Sequence, residues 1–112
     1  FPKEDEASVR SILEMMAGDE PGGLASVRDL LISSLEQGRE LPALAGDARR
    51  FAARLHAIKG TAGLGGLSRM AAVVAAAEPL VGGLSAEQRF ELGAKLVAAL
   101  ETVFQRLRSL AL

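Results

Sequence analysis

Residues able to do covalent chemistry are scarce in this chain. They concentrate in Leu55-His56-Ala57-Ile58-Lys59-Gly60-Thr61-Ala62-Gly63-Leu64-Gly65-Gly66-Leu67, which holds the only histidine. On a helix, at about 100° per residue, Lys59, Gly60 and Gly63 fall within about 60° of His56. An imidazole then stands beside an ammonium, with bare backbone around it. A water-facing imidazole is largely neutral at neutral pH and keeps a free lone pair. It can accept a phosphoryl group and pass it on, while Lys59 offers positive charge to the phosphoryl oxygens. Magnesium needs clustered carboxylates, and none lies near this face in the sequence, so metal and acceptor aspartate have to come from a partner. The stretch reads as half of an active site.

A lone histidine on a helix is most often an ordinary surface residue. The glycines shift that balance. Glycine inside a helix costs about 1 kcal/mol relative to alanine, yet Gly60 and Gly63 lie at i+4 and i+7 from His56. Close approach of another molecule is one reason to keep them there; tight packing of a neighbouring helix is the other. The core stripe of the same segment, Phe51, Leu55, Ile58 and Ala62, runs at i, i+4, i+7 and i+11. It centres well over 100° away from His56 on the wheel. The imidazole should therefore face solvent, with Arg49, Ala52 and Ala53 on its side.

The elements that must position this face follow from the apolar period. Val9, Ile12, Leu13 and Met16 predict a helix over about 5–17, stopped at Gly18, after a polar segment 1–5 that reads as a linker. Leu24, Val27, Leu31 and Leu35 predict a second, ending near Gly38. Leu41-Pro42 implies a break over about 38–46, since proline lacks an amide donor and restricts its predecessor. Asp47 is a candidate N-cap for the histidine helix, 47–64, which Gly65-Gly66 ends or kinks. Ser68 can cap a fourth helix over 68–81 with Met70, Val73, Val74 and Ala77 buried and a kink or early stop at Pro79. Ser85-x-x-Gln88 is a capping box opening a long helix over 86–110, with Leu96, Leu100, Val103, Leu107 and Leu110 as its seam. No stretch alternates with period two. The pattern predicts an all-α antiparallel four-helix bundle with an additional N-terminal helix, one domain over residues 1–112.

Composition agrees and excludes much else. The hydrophobic content is 49% with 4% aromatics, so leucine, alanine and valine must fill the core, which suits packed helices. Cysteine is absent, excluding thiol catalysis, a disulfide framework and thiolate-held metal. Formal net charge is −1, which gives no global case for nucleic acid or an anionic membrane. The basic residues Arg49, Arg50, Arg54, Lys59 and Arg69 spread around their helix without an aromatic platform, and fit a solvated flank that steers an acidic partner. Gly60 to Gly66 matches neither G-x-x-x-x-G-K-[ST] nor G-x-G-x-x-G, and no strand precedes it. The longest apolar run, Met70 to Ala77, is too short to span a bilayer. The start at Phe1-Pro2-Lys3 reads as a module cut from a longer polypeptide.

His56-x-x-Lys59-Gly60-Thr61-Ala62-Gly63 followed by Gly66 resembles the signature of histidine-containing phosphotransfer (HPt) domains, and the resemblance covers the whole chain in outline. It implies that His56 is phosphorylated, taking phosphate from a receiver-domain aspartyl-phosphate and giving it to the aspartate of a response regulator. It further implies that Lys59 stabilises the phosphoryl group. Arg49, Ala52, Ala53, Gly60 and Gly63 would meet the receiver domains, and Mg²⁺ would sit on the partner, with no cofactor bound by this chain. Such a module has no autonomous turnover, is monomeric in isolation, touches neither nucleic acid nor membrane, and is cytoplasmic, often at the end of a hybrid sensor histidine kinase. Leu64 and Gly65 depart from the family pattern, which more often has a small polar residue and a bulky apolar one there. The alternative from another class is a non-catalytic helical docking or dimerisation module, for which the seam of the last helix is the candidate interface.

Overall fold

Asp47 opens the helix that carries the histidine. Its backbone is extended and its carboxylate accepts the Arg50 backbone N–H at 3.1 Å, satisfying one of the helix's orphan donors. That helix, α3, runs Ala48–Leu64 in the computed structural model, which describes residues 6–110. Before it come α1 (Glu6–Ala17) and α2 (Gly23–Glu36); after it come α4 (Ser68–Ala77) and α5 (Ala86–Ser109). The described residues are all-helical with no strand. The 1–5 segment read as a linker lies outside them.

Both prolines interrupt the α-helices as expected, and each lies in a 3-10 segment. Residues expected as a break over 38–46 form a 3-10 segment, Gln37–Leu44, with Pro42 inside it. The segment is wedged into the core: Leu41 is fully buried, and Gly38 faces the side chains of Leu100 and Ile58 so closely that a Cβ there would collide. Gly93 of α5 is likewise pressed against the Leu41-Pro42 backbone, at 3.1 Å from Pro42 N for an added Cβ. Pro79 stops α4 early, as its chemistry requires, and Glu78–Gly83 continues as a second 3-10 segment.

The end of α3 is a Schellman turn. Gly66 has φ +78°, its N–H reaches Gly63 O at 3.3 Å, and Leu67 N–H reaches back to Ala62 O at 2.9 Å. Leu67 and Ala62 are both buried, supplying the apolar contact that accompanies the motif. This turn takes the capping position away from Ser68: the N-cap of α4 is Leu67, with no side-chain cap, and Ser68 is the first helical residue. At the other end of the chain the Ser85 box closes as read. Ser85 Oγ accepts from Gln88 N at 3.1 Å and Ser85 N donates to Gln88 Oε1 at 2.8 Å.

One core joins all the elements. Phe51, Leu55, Ile58 and Ala62 of α3 are buried with Leu31, Ile32 and Leu35 of α2, Met70 and Val74 of α4, and Leu96, Leu100, Val103, Phe104 and Leu107 of α5. The α5 seam is thus filled by its own chain. α1 joins through Val9 and Leu13, and Ile12, Ser8 and Val9 press on Gly66. Among the described residues no helix is long and apolar enough to cross a membrane.

Candidate functional site

Burying the Phe51 stripe turns the opposite side of α3 to water. The His56 side chain is 69% exposed, and Arg49, Ala53, Gly60 and Gly63 are exposed around it. Ala52, expected on the same surface, is half-buried and packs against the core. A Cβ built on Gly60 or Gly63 would meet nothing within 4 Å. No helix among the described residues uses the space these glycines leave, so packing between those helices does not account for them.

The residue that completes the site carries no signal of its own in the sequence. Glu78, at the junction of α4 and the second 3-10 segment, lies with Oε1 3.0 Å from His56 Nδ1 and Oε2 3.0 Å from Lys59 Nζ. One carboxylate therefore holds both chemistry-bearing side chains. No carboxylate cluster lies near this face in the sequence, but the fold brings one carboxylate to it. Packing of the segment after α4 against α3 delivers a residue 22 positions away. Lys59 accordingly points into an ion pair rather than freely to solvent.

The contact fixes the imidazole's chemistry. An ionised carboxylate can only accept, so Nδ1–H donates to Glu78, and in the tautomer this contact selects the lone pair is on Nε2. Glu78 is only 25% exposed, and its carboxyl is held below the ordinary carboxylate range. The hydrogen bond from Lys59 is the main cause, partial burial opposes it, and the contact with His56 adds to it. A depressed folded value means that the pairing stabilises the fold above the ordinary carboxylate range and is lost only as pH falls through the lower value. Glu78 is thus ionised throughout the neutral and mildly acidic range.

Of the basic residues near the site, Arg54 is already committed, donating to Gln37 O and to Glu40 Oε2, the latter at 3.0 Å. Arg49 and Arg50 form no side-chain ion pair among the described residues and are exposed. No group of three histidine, cysteine, aspartate or glutamate residues that could hold a metal occurs among the described residues. No family model, no curated protein and no solved structure matches the chain.

The open glycines give a test in which stability and function move oppositely. Gly60→Ala adds a methyl group that touches nothing, so the helix should gain up to about 1 kcal/mol. Thermal unfolding should show a midpoint unchanged or raised. Any interaction that needs another macromolecule's backbone against this face should weaken. A lowered midpoint would mean that the glycine serves the fold instead.

Proposed function

We propose that this chain is a histidine phosphotransfer domain of a two-component phosphorelay, an antiparallel four-helix bundle of α2 to α5 with α1 as an additional N-terminal helix. It receives a phosphoryl group on His56 from a receiver-domain aspartyl-phosphate and returns it to the aspartate of a response regulator. The observation that carries this reading is the exposed imidazole with Nδ1 committed to Glu78, which leaves Nε2 as the nucleophile. The open stripe at Gly60 and Gly63, where a partner can come close, supports it.

The step balances without a group from outside the two proteins. The Nε2 lone pair attacks phosphorus, the bond from phosphorus to the acyl oxygen breaks, and the electron pair leaves with the partner's aspartate. The ring retains its Nδ1 proton and becomes formally cationic. Glu78 faces that charge at 3.0 Å and stabilises it where it develops. Lys59 can swing from Glu78 toward the phosphoryl oxygens, since it lies one turn from His56 on α3. Return transfer reverses each movement. Mg²⁺ belongs to the receiver, and no independent turnover is expected of this chain, which would work in the cytoplasm alone or within a sensor kinase.

Incubation with a receiver domain charged by acetyl phosphate and Mg²⁺ tests the reading. The receiver should lose its aspartyl-phosphate as this chain gains an acid-labile, alkali-stable adduct. A receiver that keeps its label would leave the docking-module alternative in place. Two variants grade the mechanism. Glu78→Gln keeps an acceptor for Nδ1 but removes the charge, and should slow phosphoryl uptake by up to about fivefold, the range set by one exposed charge pair. Glu78→Ala should slow it further, because the tautomer is then no longer imposed. Lys59→Ala should also slow transfer, with the helical circular-dichroism signal unchanged.

A further inference from the structure

The chemistry open to His56 is not restricted to phosphorus. An imidazole whose Nδ1–H is held by a carboxylate, with its other nitrogen free, is also the arrangement that hydrolytic enzymes use at an acyl carbon. Here the carboxylate is Glu78, 3.0 Å from Nδ1, and the tautomer it selects puts the lone pair on Nε2. A cation completes the set. Lys59 Nζ sits 3.0 Å from the other oxygen of Glu78, and Lys59 lies one turn from His56 on α3. Attack on a carbonyl develops negative charge on its oxygen, and an ammonium one turn from the imidazole can meet that charge.

The surroundings decide which acyl donors qualify. The His56 side chain is 69% exposed, and the exposed residues around it include only small ones, Ala53, Ala57, Gly60 and Gly63, on its own helix. A Cβ added to either glycine would touch nothing within 4 Å, so those positions put nothing in the way of an approaching ester. The same bareness withholds any grip on the acyl chain or the leaving group. With no binding energy to spend on expelling a poor leaving group, amides and alkyl esters are out of reach. Substrates must carry their own driving force, as small acyl groups on phenols or similarly acidic leaving groups do.

We propose that His56, Glu78 and Lys59 form a nucleophilic acyl-transfer centre that hydrolyses small activated esters. Nε2 adds its lone pair to the carbonyl carbon, and the oxyanion forms beside Lys59. The bond from carbon to the leaving oxygen breaks, and the phenolate departs with the electron pair. The ring is then acylated on Nε2 and cationic, with Nδ1–H still donating to Glu78. Water adds to the acyl carbon, the carbon–nitrogen bond breaks to restore the Nε2 lone pair, and the carboxylic acid leaves. One ester and one water give one acid and one phenol. His56 is the catalytic residue, Lys59 meets the oxyanion, and Glu78 is a positioning residue that fixes the tautomer. The activity follows from these three side chains and does not rest on phosphotransfer.

Hydrolysis of p-nitrophenyl acetate tests it, with N-acetylhistidine methylamide as an imidazole that lacks Glu78 and Lys59. Per histidine, the wild-type chain should turn over about tenfold faster than the model compound, the combined range of two exposed charge contacts. His56→Gln should lose turnover and keep only the stoichiometric acylation of its amines. Lys59→Ala should slow the reaction up to about fivefold, with Lys59→Arg restoring most of the rate. Glu78→Ala should slow it to a similar degree, and the ¹⁵N shifts of the His56 ring should change from one tautomer to a mixture, which a purely structural role would not produce. Quenched wild-type protein should carry an acetyl group on His56 that hydroxylamine removes. A wild-type rate no higher than that of the model compound, unchanged turnover in His56→Gln, or acetyl groups on lysines alone would each overturn the proposal. Phosphoramidate labelling of the same protein reports separately on phosphotransfer, so either reading can fail without the other.

Discussion

His56→Gln should take up no acid-labile, alkali-stable phosphate from either a charged receiver or phosphoramidate, with the fold and its thermal midpoint close to those of wild type. The expected loss is complete because no second nucleophile of comparable power exists: there is one histidine and no cysteine. Glutamine can still meet Lys59 and Glu78 through its amide, so the surface keeps its polarity. The side chain is mostly exposed and contributes nothing to the core, and surface changes of this kind usually lie within about 0.5 kcal/mol. Equal labelling of wild type and variant would refute the phosphocarrier reading and leave a helical docking module.

Phe51→Ala should act in the opposite way, through the fold. Phe51 is fully buried, one of two phenylalanines in the centre of the core. Truncating such a side chain removes its transfer free energy and leaves a cavity, together costing about 3–5 kcal/mol. For a domain of this size that corresponds to a fall in melting midpoint of roughly 12–25 °C. The site should suffer only where the fold does. Well below the new midpoint His56 should still accept phosphate from phosphoramidate, because Glu78 reaches it from the other side of α3. Calorimetry or circular dichroism checks the first part and adduct formation the second. A Phe51→Ala protein that melts like wild type would mean that α3 is anchored elsewhere.

The helix carrying the site was legible because its determinants are local. The Phe51, Leu55, Ile58 and Ala62 stripe, the Asp47 cap and the Ser85 box each act within a few residues, and each stands where its spacing put it. The break between α2 and α3 was legible at Leu41-Pro42, but not the 3-10 form of Gln37–Leu44, because such a run has no 3.6-residue apolar period to betray it. Ser68 looked like a cap by residue type, but the Schellman bonds at Gly66 and Leu67 shift the start of α4 by one residue. Gly65, at odds with the family pattern, has its physical reason in Leu31, a residue 34 positions earlier. Glu78 was invisible for a similar reason. Nothing in the sequence marks it, and only the turn at Pro79 and the packing of the following segment on α3 bring it to His56.

The central claim is that Glu78 commits Nδ1 and leaves Nε2 to accept the phosphoryl group. Correlating ³¹P with ¹⁵N in labelled protein, after phosphorylation by a charged receiver domain, tests it most directly. The account predicts one phosphohistidine, phosphorus bonded to Nε2 of His56, and a proton retained on Nδ1. Phosphorus on Nδ1, or on any residue other than His56, would contradict it.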